Sequence, residues 1–101
     1  MTQEHFLARL KELHDGCHAI SVAKNADYAN KDDALQNFHV AEVFGIPAEK
    51  AILVRMSDKM SRISNLISRP AAVTDESVLD TLSDLANYAL ILRIVLEQKT
   101  V

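Results

Sequence analysis

Apolar residues recur at spacings of three and four through most of this chain, the period of helices that bury one face. Phe6, Leu10, Leu13, Cys17 and Ile20 form the first stripe, and Thr2 stands where a side-chain oxygen can cap free amides. A first helix is therefore predicted from Thr2 to about Asn25. Gly16 costs it about 1 kcal/mol relative to Ala and marks a place for a kink or a close helix contact. From Lys24 to Phe38 no period is sustained, and the density of Asn and Asp, which bond their own backbone, predicts a loop. A loop that long in so short a chain points to function. His39 to Phe44 reads as a short helix stopped by Gly45, and Ile46-Pro47 opens the next element.

Pro47 to about Ser68 is the second long helix. Ile52, Met56, Met60, Ile63 and Ile67 share one face, Arg55, Asp58, Lys59, Arg62 and Asn65 form an adjacent polar stripe, and Ser57, Ser61 and Ser64 fill a third sector that fits either solvated serines or a close helix approach. Arg69-Pro70 ends it, because the residue before proline avoids the helical region. The last helix begins in the stretch from Val73 to Tyr88, with Thr74 or Asp75 as cap and Glu76 at the positive end of its dipole. Val78, Leu79, Leu82, Leu85, Leu90, Leu92 and Leu96 cover most of its circumference, so most of it is expected to be buried. Glu76, Asp80 and Asn87 fall in one narrow stripe, flanked by Ser83 and Asp84. Carboxylates on such a helix need a cation, a metal or water beside them. The short connection between the last two helices predicts an antiparallel pair. The expected fold is a small all-α domain: a long N-terminal helix, a polar loop, a short helix and an antiparallel two-helix hairpin.

Composition narrows the class. The chain has 101 residues, enough for one core and one domain, and its two Gly and two Pro disfavour a turn-rich β fold. A net charge of −3 without a basic tail excludes generic duplex nucleic-acid binding, which needs clustered Lys and Arg. Cys17 is the single cysteine and has no internal disulfide partner. No basic-then-apolar leader opens the chain and no apolar run reaches the roughly twenty residues of a membrane span, so a cytoplasmic protein without membrane partners is expected. The apolar faces are wide for a chain of this size, which predicts a homo-oligomer.

Three constellations could carry chemistry. Across the hairpin, Arg55, Asp58, Lys59 and Arg62 oppose Glu76, Asp80, Asp84 and Asn87. A salt-bridge network would hold the helices in register; alternatively Glu76, Asp80 and Asp84 would hold magnesium while Arg55, Lys59 and Arg62 take the phosphates of a nucleotide. Lys24, Asn25, Asp27, Tyr28, Asn37 and Phe38 bracket the loop, where an aromatic ring offers a stacking face and Asn amides can read base edges. His14, Cys17 and His18, and His39 with Glu42, have metal-compatible helical spacing but lack the partners zinc requires. The loop also lacks the glycine and closing glutamate of a calcium-binding loop.

K-N-A-D-Y at Lys24–Tyr28, Q-N-F at Gln36–Phe38, R-M-S-D-K-M-S-R at Arg55–Arg62 and D-E-S-V-L-D-T-L-S-D-L-A-N-Y-A at Asp75–Ala89 together resemble the phage-associated "nucleotide modification associated domain" family. The resemblance implies an all-helical phage or prophage protein, in the host cytoplasm, that works on or around nucleotides. More distantly the architecture is similar to the all-α nucleoside triphosphate pyrophosphohydrolases, whose acidic side chains on adjacent helices bind magnesium. Those enzymes carry two acidic pairs; Glu42 and Glu49 are too far apart to make the first, and Glu76 with Asp80 stand only for the second. The expectation is a binder of a nucleotide or nucleotide-derived ligand, such as a sequestered cyclic nucleotide defence signal. Its ligand set is Lys24, Asp27, Tyr28, Asn37, Phe38, Arg55, Lys59, Arg62 and Asn87. The alternatives are a magnesium-dependent pyrophosphohydrolase and a structural helical oligomerisation module.

Overall fold

Thr2 caps the first helix as its side chain suggests: its hydroxyl oxygen accepts a hydrogen bond from the His5 amide at 3.1 Å. The structure, a computed structural model, describes residues 1–29, 31–69 and 77–99. Helix α1 spans Gln3–Tyr28, the short α2 Gln36–His39 with a 3₁₀ turn at Val40–Phe44 behind it, α3 Ala48–Ser68 and α4 Val78–Lys99; no strand occurs among the described residues. The all-α class and the order of elements follow the sequence reading.

Two boundaries differ from it. Helix α1 runs unbroken through Gly16 and on to Tyr28, so Lys24, Asp27 and Tyr28 are helical rather than part of a loop. Asn25 does not turn the chain. Its carbonyl accepts from the Ala29 amide at 3.0 Å, and its side chain reaches across to the Ala34 carbonyl at 2.7 Å instead of competing for its own backbone. The connection is shorter as a result, and Asp33 organises its far end: one carboxylate oxygen accepts from the Leu35 amide at 3.0 Å and the other lies 2.7 Å from His39 Nδ1. The short helix accordingly begins at Gln36, before His39, and is anchored by Phe38, which is 4% exposed. Gly45 stops the 3₁₀ turn at φ 76°, a left-handed conformation that favours glycine.

The caps expected at Thr74 and Asp75 lie outside the described residues, as does Pro70. Among the described residues Ser77 and Asp80 satisfy each other: Ser77 Oγ accepts from the Asp80 amide at 3.1 Å, and the Asp80 carboxylate accepts from the Ser77 hydroxyl at 3.0 Å.

Ion pairs set the direction of packing. Glu49 in the first turn of α3 meets Lys99 in the last turn of α4, and Lys59 farther along α3 meets Asp84 nearer the start of α4, so the two helices are antiparallel. Between them, Ile52 and Ala48 of α3, Val95 of α4 and Phe38 of α2 form the core, with Met56, Tyr88, Ile91 and Leu92 packed around it. Helix α1 lies along α4 through its second half and buries no residue.

This last point corrects the expectation that α4 is mostly buried. Only Thr81 and Val95 of α4 are buried, while Leu79 and Leu90 are 71% and 58% exposed. One helix covers one side of α4 and part of α1 another, so much of its apolar circumference has no cover among the described residues. The first helix likewise leaves Phe6 and Leu13 about half exposed. A radius of gyration of 15.5 Å exceeds the roughly 13 Å of a compact hundred-residue domain.

Ile52 is fully buried and Val54 largely exposed on the same helix. Ile52→Ala is expected to lose about 2–5 kcal/mol of stability in urea denaturation, and Val54→Ala to stay within about 0.5 kcal/mol of the parent chain.

Candidate functional site

The antiparallel register brings the polar stripe of α3 against the acidic side of α4. Lys59 Nζ lies 3.3 Å from Asp84 Oδ2, and Lys24 Nζ of α1 lies 2.9 Å from Asp84 Oδ1. One carboxylate is thus shared by ammonium groups from two helices. Partial burial raises the Asp84 pKa, but hydrogen bonds and charge from Lys24 and Lys59 outweigh it and hold the group below its ordinary value. One helical turn on, the Asn87 amide donates to the Cys17 carbonyl at 3.1 Å, a second polar link between α4 and α1.

Beside this junction is an open pocket of about 360 Å³ lined by Arg55, Asp58, Lys59, Arg62 and Tyr88. Three cations and one carboxylate surround an aromatic ring. Phe38 supports the arrangement from below: its ring meets Tyr88 edge-on at 6.4 Å between centroids with an interplanar angle of 81°, and the Arg55 guanidinium sits 5.4 Å from its centroid. Asp58 and Arg62 are four residues apart, as are Arg55 and Lys59, so one face of α3 supplies all four charged groups.

Arg55, Lys59 and Arg62 therefore come together as expected from the sequence, and Lys24 and Asn87 stand behind them without lining the pocket. Phe38 does not serve as an exposed stacking face. Its 4% exposure makes it a core residue, because the short helix that carries it must be anchored on α3 and α4. Tyr28 is 62% exposed on the last turn of α1 and Asn37 half-buried on α2; with Asp27 they lie outside the pocket lining. The aromatic group at the pocket is Tyr88, four residues after Asp84 and so on the same side of α4, a spacing visible in the sequence but not weighed there.

Of the three carboxylates assigned to metal, Glu76 lies outside the described residues. Asp80 is engaged with Ser77 in the helix cap and Asp84 with the two lysines. Among the described residues no group of three or more His, Cys, Asp or Glu is gathered as a metal site. His39 pairs with Asp33 rather than with Glu42.

Searches against protein-family models, curated proteins and solved structures return no match for this chain.

The Asp84 junction makes stability depend on pH with a definite sign. Its lowered folded-state pKa contributes stability above the ordinary carboxylate value of 3.8, and that contribution is lost as pH falls through the lower folded value. Asp84→Asn is expected to melt several degrees below the parent at pH 7, and the gap is expected to shrink when both are melted at about pH 3.

Proposed function

We propose that the protein binds a nucleotide or nucleotide-derived ligand at the pocket between α3 and α4, with phosphate at Arg55, Lys59 and Arg62 and the base or sugar against Tyr88. The observation that carries this reading is the lining itself, three cations to one carboxylate around an aromatic ring, in a volume within the roughly 300–1,000 Å³ of small-molecule sites. Arginine presents paired donors that match phosphate oxygens, and the lysine adds a point charge. The resemblance of the Arg55–Arg62 and Asp75–Ala89 motifs to phage nucleotide-associated domains supports the same ligand class. It also supports a phage-type protein acting in the host cytoplasm, where sequestering a cyclic nucleotide signal is a natural use. We infer further that the working form is a homo-oligomer, given how much apolar surface the single chain leaves uncovered.

Binding without turnover is the better supported activity. Asp80 and Asp84 are engaged by Ser77 and by two lysines, which suits ordering of cations more than presentation of two acids to magnesium and a water. A pyrophosphohydrolase remains the competing reading, with Glu76, Asp80 and Asp84 as its magnesium ligands.

A thermal-shift panel of mono- and triphosphates and of cyclic mono- and dinucleotides, with and without magnesium, tests both. A bound ligand at about 100 times its Kd stabilises the fold by about 2.7 kcal/mol, a shift well above measurement error. At least one nucleotide is expected to raise Tm, to be recovered intact by chromatography, and to bind at least about tenfold more weakly to Arg55→Ala and to Arg62→Ala. Recovery of monophosphate and pyrophosphate would establish hydrolysis instead, and a panel with no shift would leave a plain helical module.

A further inference from the structure

Away from the pocket, the paired helices carry a second repeat that the chain itself leaves half used. Leu53, Met56, Met60, Ile63 and Ile67 of α3 alternate spacings of three and four, as do Leu82, Leu85, Ala89, Leu92 and Leu96 of α4. This is the seven-residue seam of helices that pack in bundles. The inner members, Met56 and Ile63 on α3 and Leu85 and Leu92 on α4, are partly buried between the helices. The outer members are not: Leu53, Met60 and Ile67 are 45%, 57% and 76% exposed, and Leu82 and Leu96 are each 45% exposed.

In an antiparallel pair these outer rows lie on the same side, so they form one continuous two-helix apolar face. Met60 and Arg62 are two residues apart, about 160° around α3, which sets this face opposite the pocket. Toward the C-terminal end of α4 it carries a shallow hollow of about 430 Å³ over Ala89, Leu92 and Leu96, rimmed by Arg93 and Glu97, which pair with each other at 2.7 Å. Ser57 and Ser64 border the row on α3, small enough for another helix to approach closely.

We propose that this face is occupied by the same face of a second copy, so that two α3–α4 pairs close into a four-helix bundle. A half-used seam needs two more helices of the same repeat. The only other long helix among the described residues, α1, is held on α4 at Asp84 and Asn87, on the polar side. A second copy supplies a pair with the required spacing, and its own Arg93 and Glu97 give a rim that can pair across a twofold axis. The chain exposes 7668 Å², against about 5,700 Å² for a folded monomer of this mass, and the surplus of about 2,000 Å² is shared between this face and the uncovered stripe of α1. Obligate homodimers bury from about 1,000 Å² upward on each partner. The pocket stays open on the far side, so this assembly stands or falls separately from nucleotide binding.

The test is the mass of the full chain by light scattering and sedimentation, together with carbene footprinting above and below the concentration at which it dissociates. The expected results are twice the chain mass and reduced labelling at Leu53, Met60 and Leu96 in the associated form, with Phe6 and Leu13 labelled equally in both. Met60→Lys and Leu96→Lys are each expected to raise the dissociation constant at least about 100-fold with helical circular dichroism retained, because both positions are exposed in the single chain. Should either variant unfold, the footprint of the parent chain decides. A parent that is monomeric at every concentration, a dimer that protects Phe6 and Leu13 instead, or a monomer that sediments only with phospholipid vesicles would each overturn the proposal.

Discussion

Antiparallel packing of α3 on α4 is the constraint from which the rest of this fold follows. Once Glu49 is set against Lys99 and Lys59 against Asp84, the residues of both helices fall between the helices, on the polar side, on the apolar side, or, like Val54 and Leu90, on the outward side. Ile52 and Val95 fall between and are buried. Arg55, Asp58 and Arg62 fall on the polar side, where the pocket opens. No single charged contact drives this, since exposed pairs contribute little; burial of the apolar strip does, and the ion pairs select the register among packings of similar hydrophobic gain.

Asp84 is where packing and site meet. A carboxylate partly removed from water on an otherwise apolar helix is unfavourable alone, and two ammonium groups compensate it. One of these, Lys59, also lines the pocket, so the group that neutralises the acid is also one of the pocket's three cations. The same junction ties α1 to α4, as does the Asn87 amide on the Cys17 carbonyl. No residue of α1 is buried, so its contact with α4 is a light one to which these ties contribute.

The helices themselves were legible in the sequence, since their periods are long and their stops, Gly45 among them, have one physical meaning. The polar stripe of α3 was legible too, because four charged groups at helical spacing can face only one way. The extent of α1 was not. Asn25 and Asp27 are turn formers in isolation, and only the distant Ala34 carbonyl, which satisfies the Asn25 side chain, lets the helix continue to Tyr28. Phe38 misled for a related reason. An aromatic residue beside a polar loop reads as a ligand platform until the short helix that carries it is seen docked on Ile52 and Val95. The face that came into view only with the register is Tyr88 with Arg55, as neither residue marks its partner in one dimension.

Burial of α4 was overestimated for an instructive reason: an apolar circumference states how much cover a helix needs, not where the cover comes from. Leu82, Ala89 and Leu96 meet that need no better than Phe6 and Leu13 do, yet the two sets differ in kind. Both sets repeat every seven positions, but the row of α4 is matched across the hairpin by Leu53, Met60 and Ile67, whereas no described helix carries a matching row beside that of α1. A matched pair of rows defines a direction and a spacing for whatever covers it, and a lone stripe defines neither. That difference is why the proposed partner is matched to the hairpin face and not to the stripe on α1. It also separates two surfaces of this small chain by side: a charged one at the pocket and an apolar one along the outer rows, with the buried strip of Ile52 and Val95 between them.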